Sequence, residues 1–411
     1  CGAAFRIRGV RYSSFMARRE ARDWVGGVTG RAFLGRVAGG ALSAPVAAGF
    51  AGCGERRAAD AEWRNRVGGM AYRRLGRTGM MISEVVCGGD PIRTPNYRHI
   101  GLALEMGLNY LDMAPNYGPG GDAELAYGKF LKESGARDRV FLATKISDYK
   151  PLRNTLYQEV FQGLPSEKKR EVIRRARELR ASRGIDRPDY AISYYPGQAG
   201  DFDYAYVSAA MMRHYRHLVE GSSKFREYIT RSIEGSLRRV GVDHFDVVLC
   251  PHGADAAEEL ANEEMHETLD RLRRQGKFRF LGFSSHNDPA GNLSAAAASG
   301  KYDMGMVAYN IVVGGYVEGA IREAAAKDMG VIAMKVAHAV ATHHRAMQPI
   351  PQWRIDKLER IVPGEMKPPL KAYLWALQNP NVAAVNSNLW DEAFVRENLS
   401  VAGKKVELRV A

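Results

Sequence analysis

The sequence contains few cysteines, and their spacing argues against several classes of protein. Its 411 residues include only four, which are Cys1, Cys53, Cys87 and Cys250. None forms a C-x-x-C pair or has a histidine partner at the spacing of a zinc site. We therefore expect no disulfide framework, structural zinc or iron–sulfur cluster. With 45% hydrophobic and 26% charged residues, the chain has the composition of a folded protein with one large core or two smaller ones.

Positive charge is unevenly distributed along the chain. Residues 1–69 contain twelve arginines, no lysine and five acidic residues, so they carry +7 of the formal net charge of +13. No nucleic-acid recognition motif and no alternation of basic with aromatic residues accompanies this charge. We therefore expect no nucleic-acid partner.

The apolar stretch near the front of the chain is short, and it resembles an export signal. From Thr29 the sequence reads TGRAFLGRVAGGALSAPVAAGFAGCG. This stretch is too broken for a membrane-spanning helix, which needs about 20 apolar residues. Its order of arginine, small apolar residues and a processing site ending in Cys53 is typical of a secretory signal. It is similar to a bacterial twin-arginine signal with a lipobox, although Gly30 replaces the first arginine and Phe50 the usual leucine.

We interpret residues 1–69 as a leader that combines this signal with a charged tether from Glu55 to Gly69. The chain would then be exported and anchored through a lipidated Cys53, as a periplasmic or membrane-anchored bacterial lipoprotein. The alternative is a disordered leader on a cytoplasmic protein. Because the sequence begins with Cys1, it is either a fragment or has its true start downstream, with Met16 as the candidate initiator.

Residues 70–411 alternate between short apolar runs and amphipathic stretches. Eight strands are predicted, at residues 81–87, 109–112, 140–145, 245–250, 280–284, 304–309, 331–334 and 382–385. Helices are predicted at residues 97–106, 123–133, 224–240, 258–275, 290–299, 316–328 and 369–378. Strands that alternate with helices in this number favour a closed (β/α)8 barrel of the TIM type. A doubly wound sheet is the alternative, but residues 87–91 (CGGDP) lack the G-x-G-x-x-G turn expected after its first strand.

One block, residues 152–222, interrupts this rhythm after the third strand of the barrel. It contains a strongly charged helix, Lys168 to Arg183, and an aromatic-rich loop from Tyr190 to Tyr206. Loops on this face carry the active sites of barrel enzymes, so we predict a lid or a substrate platform. The alternative is an insertion with a purely structural role or one that forms an oligomer contact. Tyr194, Tyr195 and Tyr206 suggest stacking on sugars or planar rings, although tyrosines also pack in cores.

Polar residues fall at the carboxyl ends of three consecutive predicted strands. Asp112 closes the second strand, Lys145 closes the third, and His252 follows the fourth. Tyr117 follows Asp112 through a loop that contains proline. Because these strand ends meet at one mouth of a barrel, we predict that the four side chains form a catalytic group.

The motifs around these residues resemble the aldo/keto reductase family. The resemblance rests on YRRLGRTG at 72–79, LDMAPNYG at 111–118, AELAYGKFL at 123–131, LATK at 142–145 and the position of His252. It extends from about Met70 to the C-terminus, apart from the insertion, and it implies reduction of an aldehyde or ketone with NADPH and without metal. Tyr117 would be the general acid and Lys145 would favour its phenolate form. Asp112 would hold the lysine, and His252 would orient the substrate oxygen.

The same resemblance implies a nucleotide site. Its residues would be Ser284, Ser285, Asn310, Met334, Lys335, Glu397 and Asn398. Four positions depart from the residue types usual in the family, namely Met306, Met334, Asn388 and Phe394. The resemblance implies NADP(H) as the cofactor. NAD(H) is the other choice, because Asn388 and Phe394 stand where basic residues usually bind the 2′-phosphate. A catalytically silent nucleotide-binding barrel, acting as a sensor or binding subunit, is the alternative function.

Overall fold

The structure, a computed structural model, describes residues 60–195, 198–341 and 349–409. Cys53 and the proposed signal lie outside these residues, so export and lipidation stay predictions. Among the residues that are described, no helix is both long enough and apolar enough to cross a membrane.

A small sheet precedes the barrel. It consists of β1 (Glu62–Trp63), β2 (Tyr72–Arg74) and β3 (Met80–Ser83), in the order β1-β3-β2. Strand β1 runs parallel to β3, with Glu62 opposite Met80, whereas β2 runs antiparallel to β3.

The presence of β1 corrects the predicted tether. Residues 55–69 were expected to link the leader to the fold, yet Glu62 and Trp63 are paired in a sheet. Arg64, which follows them, donates to the Val140 carbonyl at 2.7 Å and lies 3.1 Å from the buried Asp246 carboxylate. The charged residues of this segment therefore attach it to the folded part of the chain.

The predicted barrel is confirmed. Eight parallel strands close on themselves: β4 (Val85–Gly88), β5 (Tyr110–Asp112), β6 (Phe141–Lys145), β7 (Phe245–Leu249), β8 (Phe278–Ser285), β9 (Met304–Ala308), β10 (Gly330–Met334) and β11 (Ala384–Asn388). Strand β11 closes the barrel by pairing with β4, in the register Val385 to Val85. The predicted strand 81–87 is divided between β3 and β4, because Glu84 separates the small sheet from the barrel.

The barrel interior is filled by alternate side chains of the strands. Val247 and Leu249 of β7 point inward, whereas Val248 packs outside with the helices. The interior cluster comprises Leu75, Met80, Ile82, Val86, Tyr110, Phe141, Ala143, Val247, Leu249, Met304, Met306, Ile332, Met334, Ala383 and Ala384. As in other barrels of this type, the interior is a packed core, so chemistry is confined to the mouth at the carboxyl ends of the strands.

Helices cover the barrel and form the insertion. They are α1 (Ile100–Glu105), α2 (Asp122–Ser134), α3 (Tyr149–Gly163), α4 (Ser166–Ser182), α5 (Gln198–Tyr215), α6 (Lys224–Val240), α7 (Glu263–Arg274), α8 (Pro289–Ser299), α9 (Gly314–Ala326), α10 (Gln352–Ile361), α11 (Pro368–Leu377) and α12 (Glu392–Leu399). Local sequence determines where several begin. Helix α8, for example, starts where the Asp288 side chain accepts from the Gly291 N–H, with Pro289 at the first helical position.

The insertion between β6 and α6 is more helical than expected. The predicted charged helix 168–183 is present as α4, and pairs such as Arg174–Glu178 lie along its exposed surface. Helix α3 was missed, although its proline, Pro151, lies in the first turn where proline is tolerated. The predicted aromatic loop ends sooner than expected, because Tyr204 and Tyr206 belong to α5.

Candidate active site

The paired residues Asp112 and Lys145 lie at the carboxyl ends of the neighbouring strands β5 and β6. Lys145 Nζ donates to Asp112 Oδ1 at 2.5 Å and to the Met113 carbonyl at 3.0 Å. Both side chains are buried, and Asn386 Nδ2 donates to the other carboxylate oxygen, Asp112 Oδ2, at 3.3 Å. The lysine is therefore held in one position at the mouth.

Burial opposes the charges of this pair. It lowers the pKa of Lys145, an effect that the adjacent Asp112 carboxylate counteracts. It likewise raises the pKa of Asp112, which Lys145 and then Asn386 counteract by favouring the carboxylate. Each charge thus depends on its partner, as expected for an ion pair removed from water.

Tyr117 is placed over this lysine by a turn. Its backbone N–H donates to the Ala114 carbonyl at 3.1 Å, and its carbonyl accepts from the Ala123 N–H at the start of α2. Lys145 Nζ lies 4.6 Å from the centre of the Tyr117 ring. Tyr117 is half-buried, so its ring combines contact with a buried cation and access to the mouth.

His252 completes the predicted group of four. Its ring lies edge-on to that of Tyr117, with 6.0 Å between centroids, and its Nδ1 lies 3.1 Å from Ser147 Oγ. Ser147 Oγ also lies 3.0 Å from Asn116 Oδ1, so a short polar chain supports the ring and leaves Nε2 for a ligand. Burial, together with the positive charges of Lys145 and other lysines, holds the pKa of His252 well below its usual range. The imidazole is therefore neutral near neutral pH.

The structure thus brings Asp112, Tyr117, Lys145 and His252 together at one mouth.

The predicted nucleotide-binding residues differ from one another in what they contact. Ser284 and Ser285 end β8 and are buried, and their hydroxyl groups contact the protein itself. Ser284 Oγ accepts from the Gly253 N–H at 2.9 Å, and Ser285 Oγ donates to the Ala254 carbonyl at 2.9 Å.

Asn310 follows β9 and is also occupied by protein groups. Its Oδ1 accepts from the N–H groups of Val312 and Val313, which turns the chain toward α9. Its Nδ2 donates to the hydroxyl of Tyr194, from the insertion, at 2.9 Å and to the Lys335 carbonyl at 3.4 Å. The amide therefore joins three loops of the mouth.

Met334 ends β10, and Lys335 follows it. Met334 is buried in the barrel interior, in the same cluster as Met306. Lys335 has a φ of 58°, a conformation that residues other than glycine seldom adopt, and its Nζ lies 5.9 Å from the centre of the Tyr194 ring. Such a conformation at a mouth residue is a feature often found at functional sites.

Glu397 and Asn398 lie on α12, away from the four catalytic candidates along the chain. Asn398 Nδ2 donates to Ser387 Oγ of β11 at 2.9 Å, whereas Glu397 is partly exposed and pairs with Lys367 at 2.5 Å. Phe394 is 43% exposed, and the nearby Arg396 lies 3.7 Å from Glu392. Asn398 and Glu397 therefore both contact protein groups, and their binding of the nucleotide stays a prediction.

Sequence reasoning missed several polar residues of the mouth. Asn386 of β11 was missed because the predicted strand stopped at residue 385, and Asn388 was considered only for the 2′-phosphate, although two asparagines in an apolar strand were a usable signal. Gly88 makes room for them, since a Cβ there would lie 2.7 Å from Oδ1 of each. His286, which follows Ser285, was also missed.

The insertion tyrosines do not form the exposed aromatic platform that we expected. Tyr194 and Tyr206 are only 5% and 2% exposed. Tyr206 packs within the insertion, where the Arg183 guanidinium lies 5.6 Å from its ring. Tyr195 contacts His286, at 5.7 Å between ring centroids. The sequence argument for stacking on sugars therefore loses its main support.

Tyr194 covers the side of the mouth where the resemblance implies a nicotinamide ring. Tyr194 lies over the ends of β8, β9 and β10, because it bonds to Asn310 and its ring centroid is 6.3 Å from that of His286 and 6.1 Å from that of His338. The Ser285 hydroxyl also accepts from Asn292 Nδ2 at 2.9 Å. Asn310 and Lys335 thus already contact the insertion. The hydroxyl groups of Ser284 and Ser285 already bond to the loop after β7 and to α8. As the mouth stands, it does not fit that group.

A closed eight-stranded barrel with a buried Asp–Lys pair, a tyrosine and a histidine at its mouth has the architecture of a barrel enzyme with acid–base groups. Comparison with known families identifies the group more closely. The model of the Aldo/keto reductase family matches residues 93–401. The chain belongs to this family of oxidoreductases, and the predicted resemblance is confirmed.

Individual relatives match shorter stretches of sequence. The Aldo-keto reductase YhdN of Bacillus subtilis (strain 168) is 39% identical over 77 residues, which are 19% of this chain and 23% of that protein. The chain thus spans less than a quarter of the length of this relative. An uncharacterized 11.2 kDa protein from the crtE 3′ region of Pseudescherichia vulneris is 36% identical over 97 residues, covering 20% of this chain and 94% of that protein.

Solved structures agree on the fold. The holo form of the aldo-keto reductase AKR11C1 from Bacillus halodurans superimposes with a TM-score of 0.54 at 18% identity, covering 81% of this chain and 90% of that one. Its apo form gives a TM-score of 0.52, also at 18% identity, over 82% and 91% of the two chains. At 18% identity, this similarity shows a shared fold and nothing more specific.

Proposed function

We propose that this chain reduces the carbonyl group of a small aldehyde or ketone, with NADPH or NADH as reductant and Tyr117 as the general acid. The observation that carries the proposal is the position of Lys145. Its Nζ lies 2.5 Å from Asp112 Oδ1 and 4.6 Å from the centre of the Tyr117 ring. A cation fixed beside a phenol at a barrel mouth is an arrangement suited to proton donation.

Tyr117 protonates the carbonyl oxygen in this proposal. An ordinary phenol, with a pKa of about 10, is a poor acid near neutral pH. The Lys145 ammonium favours the phenolate left after the proton departs, because opposite charges attract strongly where water is excluded. Since burial lowers the pKa of Lys145, this lysine is also suited to returning a proton to the tyrosine.

Asp112 acts on Lys145 and not on the substrate. Its carboxylate keeps the buried lysine charged and aimed, and the Asn386 amide holds the second carboxylate oxygen. His252 orients the carbonyl through Nε2 as a neutral imidazole, because burial and nearby lysines lower its pKa. Together these groups stabilise the negative charge that develops on the oxygen.

NAD(P)H, the nucleotide that the family uses, would supply the electrons, and its binding requires Tyr194 to leave the side of the mouth that it covers. Met334 lies at the end of β10, where a thioether can cover an aromatic ring. Ser284, Asn310 and Lys335 lie at the neighbouring strand ends. Positions 388 and 394 hold asparagine and phenylalanine, and neither can form a salt bridge with a 2′-phosphate. We therefore expect a weaker preference for NADPH over NADH than in a chain with basic residues at these positions.

The experiment measures oxidation of NADPH and of NADH with a panel of aldehydes, ketones and sugars. It uses the wild type, Tyr117→Phe and, as a matched control, Tyr157→Phe. Tyr157 is a buried tyrosine of α3 whose hydroxyl has no hydrogen-bond partner among the described residues. We expect Tyr117→Phe to reduce kcat/KM by about 10²- to 10⁴-fold while the control keeps its activity. Nucleotide binding without any turnover that depends on Tyr117 would contradict the proposal and favour the silent nucleotide-binding barrel.

We also propose that the chain is exported and anchored through a lipidated Cys53, on the basis of the signal-like sequence before it. Mass spectrometry of the mature N-terminus in a producing bacterium tests this. A protein that begins at a lipid-modified Cys53 is the expected result. A mature protein that retains residues well upstream of Cys53 would contradict it.

A further inference from the structure

The insertion places residues 190–195, here called the lid segment, over the side of the mouth that would receive the nicotinamide. We infer that the lid segment blocks this side in the resting chain, and that nucleotide binds only after Tyr194 withdraws. The identity of the ligand rests on the proposed function. The blocking itself rests on contacts between the lid segment and the barrel.

Tyr194 makes the central contacts. Its hydroxyl accepts from Asn310 Nδ2 at 2.9 Å, and its ring lies against His286 and His338. Lys335 Nζ lies 5.9 Å from the centre of the same ring. One buried side chain therefore contacts residues that follow β8, β9 and β10, and two of these, Asn310 and Lys335, are predicted nucleotide ligands.

Hydrogen bonds fasten the lid segment at both ends. At its start, Tyr190 Oη donates to Asp288 Oδ1 at 2.6 Å. Near its end, the Tyr194 N–H donates to Gln198 Oε1 at 2.7 Å, and Gln198 Nε2 donates to the Ile192 carbonyl and to Asn287 Oδ1. These fastenings use side chains of the loop after β8, so the closed position is specified by the barrel itself.

A polar network continues beneath these fastenings. Asn287 Nδ2 donates to Asp255 Oδ1 at 2.5 Å, and Lys150 Nζ lies 2.8 Å from Asp255 Oδ2. Lys150 also lies 3.4 Å from Asp201 of α5. Tyr190, Ile192 and Tyr194 also pack in the main hydrophobic cluster, so the lid segment is held by apolar packing together with these polar contacts.

The surface under the lid segment retains a polar atom that the lid does not satisfy. His286, whose ring lies against those of Tyr194 and Tyr195, has a buried Nδ1 with no hydrogen-bond partner among the described residues. Buried polar atoms are normally paired, so an unpaired one at a mouth indicates a surface made for a polar ligand. A loop packed there only for stability would be expected to satisfy it.

Binding measurements on the full chain test the inference. NADPH is titrated into wild type, Tyr194→Phe, Tyr194→Ala and the control Tyr157→Phe, with nucleotide fluorescence as readout. Losing one hydrogen bond from the closed state is worth about a fivefold gain in affinity, so we expect roughly that for Tyr194→Phe. We expect a larger gain for Tyr194→Ala and no gain for the control. Equal affinity in all four proteins, or no binding in any of them, overturns the inference.

Hydrogen exchange of the wild type gives a second test that needs no variant. The Tyr194 N–H is protected by Gln198 in the closed state. If nucleotide displaces the lid segment, exchange in residues 190–195 becomes faster when NADPH is added. Slower or unchanged exchange would show that the segment closes over the nucleotide or does not move, and would overturn the inference.

The two proposals fail in different ways. Tighter NADPH binding by the Tyr194 variants without any carbonyl reduction would contradict the proposed function and leave the lid inference standing. Tyr117-dependent turnover in a wild type whose NADPH affinity is unaffected by Tyr194→Phe and Tyr194→Ala would contradict the lid inference alone.

Discussion

Lys145 Nζ lies 2.5 Å from Asp112 Oδ1 in a setting where both side chains are buried. The two residues are 33 positions apart and end neighbouring parallel strands. Removing one member leaves the other as an unpaired buried charge, which is more costly than losing an exposed ion pair. The pair therefore links the stability of the mouth to the protonation of the lysine.

Asp112→Asn should shift the alkaline limit of activity to lower pH. The Asp112 carboxylate raises the pKa of Lys145 against the effect of burial, so its loss lets the lysine deprotonate sooner as pH rises. The pH dependence of kcat/KM measures this shift. Asp270→Asn, which changes an exposed aspartate of α7, is the control and should leave the profile in place. An alkaline limit that is the same in wild type and Asp112→Asn would refute the role given to the pair.

Lys335→Met should raise the pKa of two histidines at once. Burial is the largest cause of the lowered pKa of both His252 and His286, and the Lys335 charge lowers each further. NMR titration of the imidazole signals measures the change. Lys301→Met is the matched control, since Lys301 contributes to the lowered pKa of His266 and should move only that residue. Unchanged titration of His252 and His286 in Lys335→Met would mean that Lys335 does not act on the mouth.

Ser147→Ala should weaken catalysis mainly through the orientation of His252. Ser147 Oγ is the hydrogen-bonding contact of His252 Nδ1, at 3.1 Å, and Asn116 supports it from the other side. We expect kcat to fall about tenfold, the effect of losing about 1.4 kcal/mol, with KM for nucleotide little changed. Ser147→Thr keeps the hydroxyl and should restore most of the rate. A normal rate in Ser147→Ala would show that the ring is held by its packing alone.

Most of the barrel could be predicted because its strands are short, apolar and regularly followed by helices. The predicted element boundaries were wrong where a polar residue or a proline interrupts an otherwise regular pattern. Glu84 divides one apolar run into β3 and β4, and Pro151 hid the start of α3. The segment before Met70 was misjudged because pairing of β1 with β3 depends on residues about 18 positions downstream, as in Glu62 with Met80.

The four catalytic candidates could be predicted because barrel topology forces consecutive strand ends to share a mouth. The contact between Tyr194 and Asn310 could not, because 116 positions separate the two residues. Local pattern does not determine how a long insertion folds back on a barrel. The same limitation applies to Ser285, whose residue type suggested a ligand but whose hydroxyl bonds to Ala254.

Glu259 should make the protein less stable as pH rises toward neutrality. Burial, and then the nearby Asp255 carboxylate, raise its pKa to about 7, while Arg153 and Lys150 oppose this. A raised pKa means that the folded state binds the proton more tightly than the unfolded state. The resulting stabilisation is complete below the unfolded pKa of about 4.5 and is lost as pH rises to about 7.

Glu259→Gln should remove this dependence. Urea unfolding at about pH 5 and about pH 8 should show wild type losing on the order of 2 to 3 kcal/mol relative to the variant. Glu267→Gln, which alters an exposed glutamate of α7, is the control and should follow wild type. Parallel losses in wild type and Glu259→Gln would assign the pH dependence to other groups.

Asp246→Ala should destabilise the fold without altering the chemistry of the mouth. The buried Asp246 carboxylate, at the amino end of β7, lies 3.1 Å from Arg64, 3.3 Å from Arg137 and 2.8 Å from Arg279, and accepts from the Leu142 N–H at 2.9 Å. Its loss leaves three arginines close together and a buried N–H unpaired.

We expect Asp246→Ala to lower the free energy of unfolding by about 3 kcal/mol, measured by chemical denaturation. Asp138→Ala, which removes an exposed carboxylate, should change it by no more than about 0.5 kcal/mol. Turnover per folded molecule should stay at the wild-type value in both, because Asp246 lies at the opposite end of the strands from Lys145 and His252. An Asp246→Ala variant as stable as wild type would show that this carboxylate does not stabilise the fold. A folded but inactive variant would show that it also affects the mouth.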